Sequence, residues 1–337
     1  MGVIRSQTVV VIGSANADLV VDITHRPTAG ETIIGSDLTT TAGGKGANQA
    51  VAASRLGGQV AFVGCVGDDG GAQLLRDSLE GAGVDVSALQ AVDVATGTAI
   101  IMLTPDGDNS IIVAPGANRR LTPEVVDLSR PLWERAAVVV MQLEIPLETV
   151  AHVAHEASDA GTRVVLNAAP AATLAHATIA VCDPLVVNET EAAFLVGQEL
   201  TSETAASVVA DLLALGPRSV VVTLGGAGSL VASAQSPATM VHVPADEVAP
   251  VDTTGAGDAF VGAVAVALAE GLPLEAAVRW AAHVAAFSVQ HRGAQVSYPT
   301  RAQVPPLGGP LPGSSRSAHD SARALRSGQR GCPAQAP

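Results

Sequence analysis

Along the chain, short runs of β-branched residues alternate with longer segments in which apolar residues return every three or four positions. TVVVIG (8–13), AAVVVM (136–141), RVVLNA (163–168) and SVVVTLGG (219–226) lack polar alternation, which predicts strands buried on both faces. LETVAHVAHEASDAG (147–161) and TAASVVADLLALG (204–216) carry the helical period, and each ends at a glycine suited to a helix C-terminus. Strand and helix in alternation predict an α/β fold, with a central, mostly parallel sheet flanked by helices.

Two stretches break this rhythm. DLVVDITHRPTAGETIIGSDLTTTAGG (18–44) and TGTAIIMLTPDGDNSIIVAPGAN (96–118) read as strand pairs joined by turn-rich loops, with PDGDNS as a hairpin turn. A sheet this small has no core of its own, so it is expected to lie as a lid over the crevice at the C-terminal edge of the main sheet. From about Val304 the chain becomes rich in Pro, Gly, Ser and Arg and loses apolar periodicity. One domain over 1–303 followed by a disordered tail over 304–337 is expected.

Composition narrows the function classes. Hydrophobic residues make up 48% of the 337 positions, yet no apolar run approaches the roughly 18 residues of a membrane span. The N-terminal apolar run passes straight into a Gly-Ser turn, as a first strand does and a signal peptide does not. Met1, Gly2 and Ser6 fit the minimal myristoylation pattern, but no polybasic segment follows, and a cytoplasmic protein is expected. The NET sequon at Asn188 therefore has no route to glycosylation. Cys65, Cys182 and Cys332 are too scattered for a disulfide framework or a zinc ribbon. A formal charge of −14 opposes nucleic-acid binding. Arginine supplies nearly all the positive charge, and Lys45 is the sole lysine.

Against that background, VDTTGAGDAFVGAVAVALAEG (251–271) places one carboxylate, Asp258, at the mouth of a run of small apolar residues. Burying an unpartnered carboxylate is costly. Gly255 and Gly257 permit close backbone approach, and a helix beginning there presents free N–H groups, which makes an anion site. A plain capping acid is the competing reading. AGGKGANQAVAASRLGG (42–58) repeats the arrangement, with Lys45, Asn48 and Gln49 at a helix start. It is not a Walker A loop, because Gly46 follows the lysine and Thr39 stands where the first glycine belongs. A glycine-rich turn capping a core helix would explain it equally. Three decoys read as structural: His152, His155 and Glu156 on a solvated helix face, Asp68 or Asp69 of GDDGG as an N-cap, and EGLPLEAAVRWAAH (270–283) as a core helix.

Taken in order, AGGKGANQA and DTTGAGDAFVGA resemble the two signatures of the ribokinase, or PfkB-type, carbohydrate kinase family, over roughly residues 8–300. GSANAD, MQLEIPLE, NETEA, TLGGAG and RGAQVS resemble the ribokinase branch more than fructokinases or nucleoside kinases. The resemblance implies a ribokinase-like fold and ATP-dependent phosphorylation of D-ribose to D-ribose 5-phosphate. It makes Asp258 the base and the N–H groups of Gly255, Ala256 and Gly257 the anion hole. The sugar would meet Asn16, Ala17, Asp18, Gly44, Lys45, Gly46, Ala47, Asn48 and Glu144, with Asp18 and Glu144 at strand ends over one crevice. The nucleotide would meet Asn188, Glu191, Thr223, Leu224, Gly225, Gly226, Ala227 and Gly228, together with Gly257 and Asp258. Glu191 would reach Mg²⁺ through water, and K⁺ would sit among Asp252, Thr254, Ser288, His291, Gly293 and Ser297, in part through backbone carbonyls. Where many relatives carry Asn or His against adenine, this sequence has Ala282, with His283 adjacent. A homodimer through the lid sheets is also implied. Another sugar or nucleoside kinase, or a non-catalytic sugar sensor, are the alternatives. Aromatic content of only 2% disfavours a base-stacking nucleoside site, and retention of GAGD disfavours a sensor.

Overall fold

The computed structural model describes residues 7–105 and 109–306. Met1, Gly2 and Ser6, the middle of the PDGDNS turn, Cys332 and the tail beyond 306 lie outside the described residues.

In chain order the strands are β1 (Thr8–Ile12), β2 (Asn16–Asp22), β3 (Thr39–Gly43), β4 (Gln59–Val66), β5 (Asp85–Ala91), β6 (Gly97–Leu103) and β7 (Asn109–Ala114). They continue with β8 (Val138–Met141), β9 (Arg163–Asn167), β10 (Cys182–Asn188), β11 (Ser219–Thr223), β12 (Ser229–Ser233) and β13 (Met240–Val243). The large sheet runs β13-β12-β11-β10-β9-β8-β1-β4-β5. It is parallel from β11 to β5, and β12 and β13 are antiparallel. Its strands read as unbroken apolar runs because both faces are covered. Val9 and Val11 of β1 join one core cluster, Val10 and Ile12 the other. Helices Lys45–Arg55, Ala256–Ala269 and Leu274–Ser288 contribute to the first cluster, and Leu147–Asp159 and Ala205–Ala214 to the second.

The small sheet has the order β3-β2-β6-β7. It covers both stretches that broke the sequence rhythm, and its exposed positions include Ile100, Ile111, Ile112 and Val113. It begins two residues earlier than expected. Because β2 opens at Asn16, Asp18 stands inside a lid strand, paired with Thr41 and Ala99, rather than at the end of a strand of the large sheet. The chain crosses from β1 to the lid through Gly13–Ala15, beside the point where strand order reverses between β4, β1 and β8. In open α/β sheets that reversal leaves a crevice at the C-terminal strand ends. At the other boundary, Val304 is buried in the core and Trp280 Nε1–H donates to the Pro305 carbonyl at 2.9 Å, so the packed chain continues just beyond 303.

Two helices reach this crevice side by side because one has no side chain where they cross. A Cβ on Gly262 would stand 2.8 Å from the Gln49 carbonyl oxygen and 2.9 Å from Ala52 Cβ. Gly262→Val should therefore force the helices apart and lower unfolding stability by about 1–3 kcal/mol, read from urea denaturation.

Candidate active site

Gly44 and Gly255 precede the helices Lys45–Arg55 and Ala256–Ala269 with φ of 87° and 73°, left-handed values that a side chain would strain. Both helices thus open towards the same place. Asp258, in the first turn of the second helix, is buried. Its Oδ2 accepts from Asn48 Nδ2 at 3.0 Å and its Oδ1 from Gln49 Nε2 at 2.9 Å. The carboxylate is therefore held by the neighbouring helix, which a simple cap of its own helix would not require.

The strand ends supply the opposite wall. Glu144, just beyond β8, accepts on Oε2 from Ser14 Oγ at 2.6 Å and from the Lys45 backbone N–H at 3.1 Å. Asn16 is buried and accepts from Asn118 Nδ2 at 2.7 Å, while Asn118 Oδ1 accepts from the Ala15 N–H at 2.9 Å. Asp18 differs from these neighbours, because its buried Oδ1 has no hydrogen-bond partner. Burial first, then the charges of Glu144 and Asp258, push its pKa from an ordinary 3.8 up to about 7. For Lys45 the largest influence, burial, favours loss of the proton, but Asp258, Glu144 and Glu191 together outweigh it and raise its pKa. The sole lysine stands among the carboxylates of this crevice.

At the far side, Asn188 caps the Glu189–Val196 helix in a reciprocal capping box: Asn188 Oδ1 accepts from the Glu191 N–H at 2.8 Å, and Glu191 Oε2 from the Asn188 N–H at 2.9 Å. Burial raises the Glu191 pKa above the usual range, against the opposing pull of Asn188 and Lys45. Thr223 ends β11, and the 3₁₀ turn Gly225–Ala227 follows with open space beside Gly225 and Gly226. The adenine position expected at Ala282 is buried; the adjacent His283 Nδ1 lies 2.5 Å from Asp246 Oδ2, and its buried Nε2 has no partner.

These features carry a match across nearly the whole chain: residues 6–301 fit the profile of the pfkB family of carbohydrate kinases. The chain belongs to that family. The ribokinase of Bacillus subtilis is 43% identical over 302 residues, covering 89% of this chain and 99% of that protein. A deoxyribokinase of Salmonella typhimurium is 37% identical over 295 residues, covering 87% of this chain and 95% of that protein. Among solved structures, Arabidopsis thaliana ribokinase complexed with ribose and ATP superposes with a TM-score of 0.82 at 37% identity, covering 88% of this chain and 96% of that one. The protein is a carbohydrate kinase with a ribokinase-like fold.

In this PfkB-family kinase the residues expected at the sugar converge, with two qualifications. Ala47 turns its methyl into the core and gives its N–H to the Ser14 carbonyl, so it backs the crevice wall. Among the three amides expected to form an anion hole, Ala256 N–H already donates to the Thr253 carbonyl at 3.2 Å. At the expected K⁺ position, Asp252 joins two loops by accepting from the Thr254 and Gly293 N–H groups at 2.9 and 2.8 Å. The hydroxyls of Ser288 and Ser297 donate to nearby carbonyls, which leaves their oxygen lone pairs free, and exposed His291 stacks on Phe287. Among the decoys, His152 pairs with Asp127 and Glu156 with Arg130, whereas Asp69 is an N-cap. Sequence reasoning missed Ser14, Asn118, Gln142, Asn167 and Gln295; a polar residue at a predicted strand end was the available signal for Ser14, Gln142 and Asn167, whereas Gln295 follows a helix and had none.

The raised Asp18 pKa yields a prediction with a definite sign. The folded protein holds this proton more tightly than the unfolded chain, so the group's stabilising contribution is full below pH 3.8 and is lost as pH rises through about 7. Asp18→Asn should raise the melting temperature by a few degrees near pH 8, with a gain that shrinks towards pH 5, while weakening sugar binding. Melting curves at both pH values, with sugar titrations, check it.

Proposed function

We propose that the protein transfers the γ-phosphoryl group of ATP to the 5-hydroxyl of D-ribose, forming D-ribose 5-phosphate and ADP. The observation that carries this reading is the meeting of Asp258, at a glycine-led helix N-terminus, with Asp18, whose buried Oδ1 has no partner, across one crevice. The names of the relatives supply the sugar and the nucleotide.

In this reading Asp18 accepts sugar hydroxyls, with Asn16, Lys45 and Glu144 as further polar contacts. Two hydroxyl donors would satisfy the oxygen that is orphaned without substrate, which converts an unfavourable burial into binding specificity. The fixed sugar presents its 5-hydroxyl to Asp258. As that oxygen attacks the γ-phosphorus, its proton passes to the Asp258 carboxylate, and the bond from the γ-phosphorus to the β,γ-bridging oxygen breaks to release ADP. The free N–H groups at Gly255 and Gly257 and the helix dipole stabilise negative charge on the transferred group.

Mg²⁺ would neutralise phosphate charge. Asn188 Oδ1 and Glu191 Oε2 are engaged in the capping box, which suits an ion held through water by Glu191. The loops joined by Asp252 offer the carbonyl oxygens that suit K⁺, whose charge would lie beside the anion hole. The exposed Ile100, Ile111, Ile112 and Val113 on the lid support pairing of two subunits there. Among the described residues no helix is long and apolar enough to cross a membrane, and we place the enzyme in the cytoplasm, with no nucleic-acid partner.

ADP release with ATP and Mg²⁺ across D-ribose, 2-deoxyribose, fructose and adenosine, in potassium and in sodium, tests the assignment. Ribose should turn over fastest and respond to potassium. Faster turnover of 2-deoxyribose would move the specificity to that of the Salmonella relative, and ribose binding without turnover would favour a sensor. Asp258→Asn should lower kcat at least ~10²-fold.

A further inference from the structure

Asp258 stands at the centre of a line of buried amides that the reaction as described does not use. On one side, Gln49 Nε2 donates to Asp258 Oδ1 at 2.9 Å and to Asn167 Oδ1 at 3.1 Å, while Gln49 Oε1 accepts from Gln142 Nε2 at 2.5 Å. On the other, Asn48 Nδ2 donates to Asp258 Oδ2 at 3.0 Å, Asn48 Oδ1 accepts from Gln295 Nε2 at 3.0 Å, and Gln295 Oε1 accepts from Ser78 Oγ at 2.5 Å. Asn48, Gln49, Gln142 and Gln295 are all buried.

A side-chain amide has a donor end and an acceptor end of nearly equal size, so nothing in its shape prevents it from presenting the wrong one. At Asp258 the wrong end matters. An amide oxygen turned towards the carboxylate would repel it, remove one of its hydrogen bonds, and push it off the line of attack. The carboxylate, which can only accept, selects the donor end of each amide that touches it, and a second group anchors that amide by donating to its oxygen. Gln142 does this for Gln49, and Gln295 does it for Asn48. Gln295 Oε1 in turn accepts from the Ser78 hydroxyl, which ties this line to the helix Gly70–Gly81. Gln142 is closely packed: a Cβ placed on Gly13 would lie 2.0 Å from its Oε1, which has no hydrogen-bond partner.

We propose that Gln142 and Ser78, which do not touch Asp258, are positioning residues that anchor the Gln49 and Asn48 amides against the carboxylate and so hold the base in its reactive orientation. This rests on Asp258 acting as the base. The pair is unequal in reach. Gln142 acts through one amide, whereas Ser78, in the helix Gly70–Gly81, acts through two. The other charged and titratable groups around Asp258, namely Lys45, Asp18, Glu144, Glu191 and Tyr298, form no part of either line, so behind Asp258 the two amides are anchored by neutral groups.

The experiment is the single-turnover rate of phosphoryl transfer, with enzyme in excess over ATP and saturating D-ribose, alongside calorimetric Kd values for each ligand. Gln142→Met keeps the bulk and removes the donor. Its transfer rate should fall about tenfold with Kd values for ribose and ATP within about twofold of the parent. Ser78→Ala, at a half-buried helix position that tolerates alanine, should slow transfer by about threefold, and Ser78→Thr should restore it by returning the hydroxyl. Parental transfer rates in folded Gln142→Met and Ser78→Ala would overturn the proposal, as would equal losses in Ser78→Ala and Ser78→Thr. Should Gln142→Met fail to fold, the Ser78 pair decides. Asp258→Asn, run beside them, separates the two layers: rapid transfer in that variant removes the base itself, whereas its loss with parental Ser78→Ala and Gln142→Met removes only the positioning.

Discussion

One steric constraint underlies the rest: two glycine-led helices must pack closely enough for their first turns to share a carboxylate. The bare Cα of Gly262 against the Gln49 carbonyl permits that approach. Without it, Asn48 and Gln49 on one helix would not reach Asp258 on the other, and the backbone amides ahead of Asp258 would not face the crevice containing Lys45. The sheet contributes the other half of the geometry. The reversal of strand order around β1 delivers Ser14, Asn16 and Glu144 to the same edge, and the lid strand that starts at Asn16 carries Asp18 over it.

Electrostatics explain why so acidic a chain retains its single lysine here. Asp18, Glu144, Glu191 and Asp258 face a small volume, and Lys45 is the cation placed to moderate them before substrates arrive. The moderation is incomplete, as the raised Asp18 pKa and its orphaned oxygen show. An active site commonly holds such locally unfavourable charge, because the groups that bind and transform a substrate are not those that maximise stability of the empty protein. The surrounding core is built to carry that load, with Val and Ala filling both sheet faces and the Ala256–Ala269 helix buried along most of its length.

Much of the fold was legible because its signals are local. Uninterrupted β-branched runs marked β1, β8, β9 and β11, and glycines marked the ends of the intervening helices. The lid was legible as a break in that rhythm, but its first residue was not, since nothing in GSANAD distinguishes the end of β1 from the start of β2. At the site, Asp258 and Lys45 were conspicuous because each is a rare charge beside glycines. Gln142, Gln295 and Ser78 were not, because an uncharged amide or hydroxyl gains its meaning from a partner far away in sequence, such as Gln295 to Asn48. In NETE a capping box and the burial of Glu191 among charged neighbours coexist, so one local signal serves the helix start and the crevice together.

The most direct measurement is a crystal structure of the enzyme with D-ribose and a non-hydrolysable ATP analogue. The 5-hydroxyl should lie about 3 Å from an Asp258 carboxylate oxygen, with the ring hydroxyls on Asp18 and the terminal phosphate against the N–H groups at Gly255 and Gly257. A sugar bound with its 5-hydroxyl away from Asp258, or a terminal phosphate held elsewhere, would contradict the assignment of this carboxylate as the base.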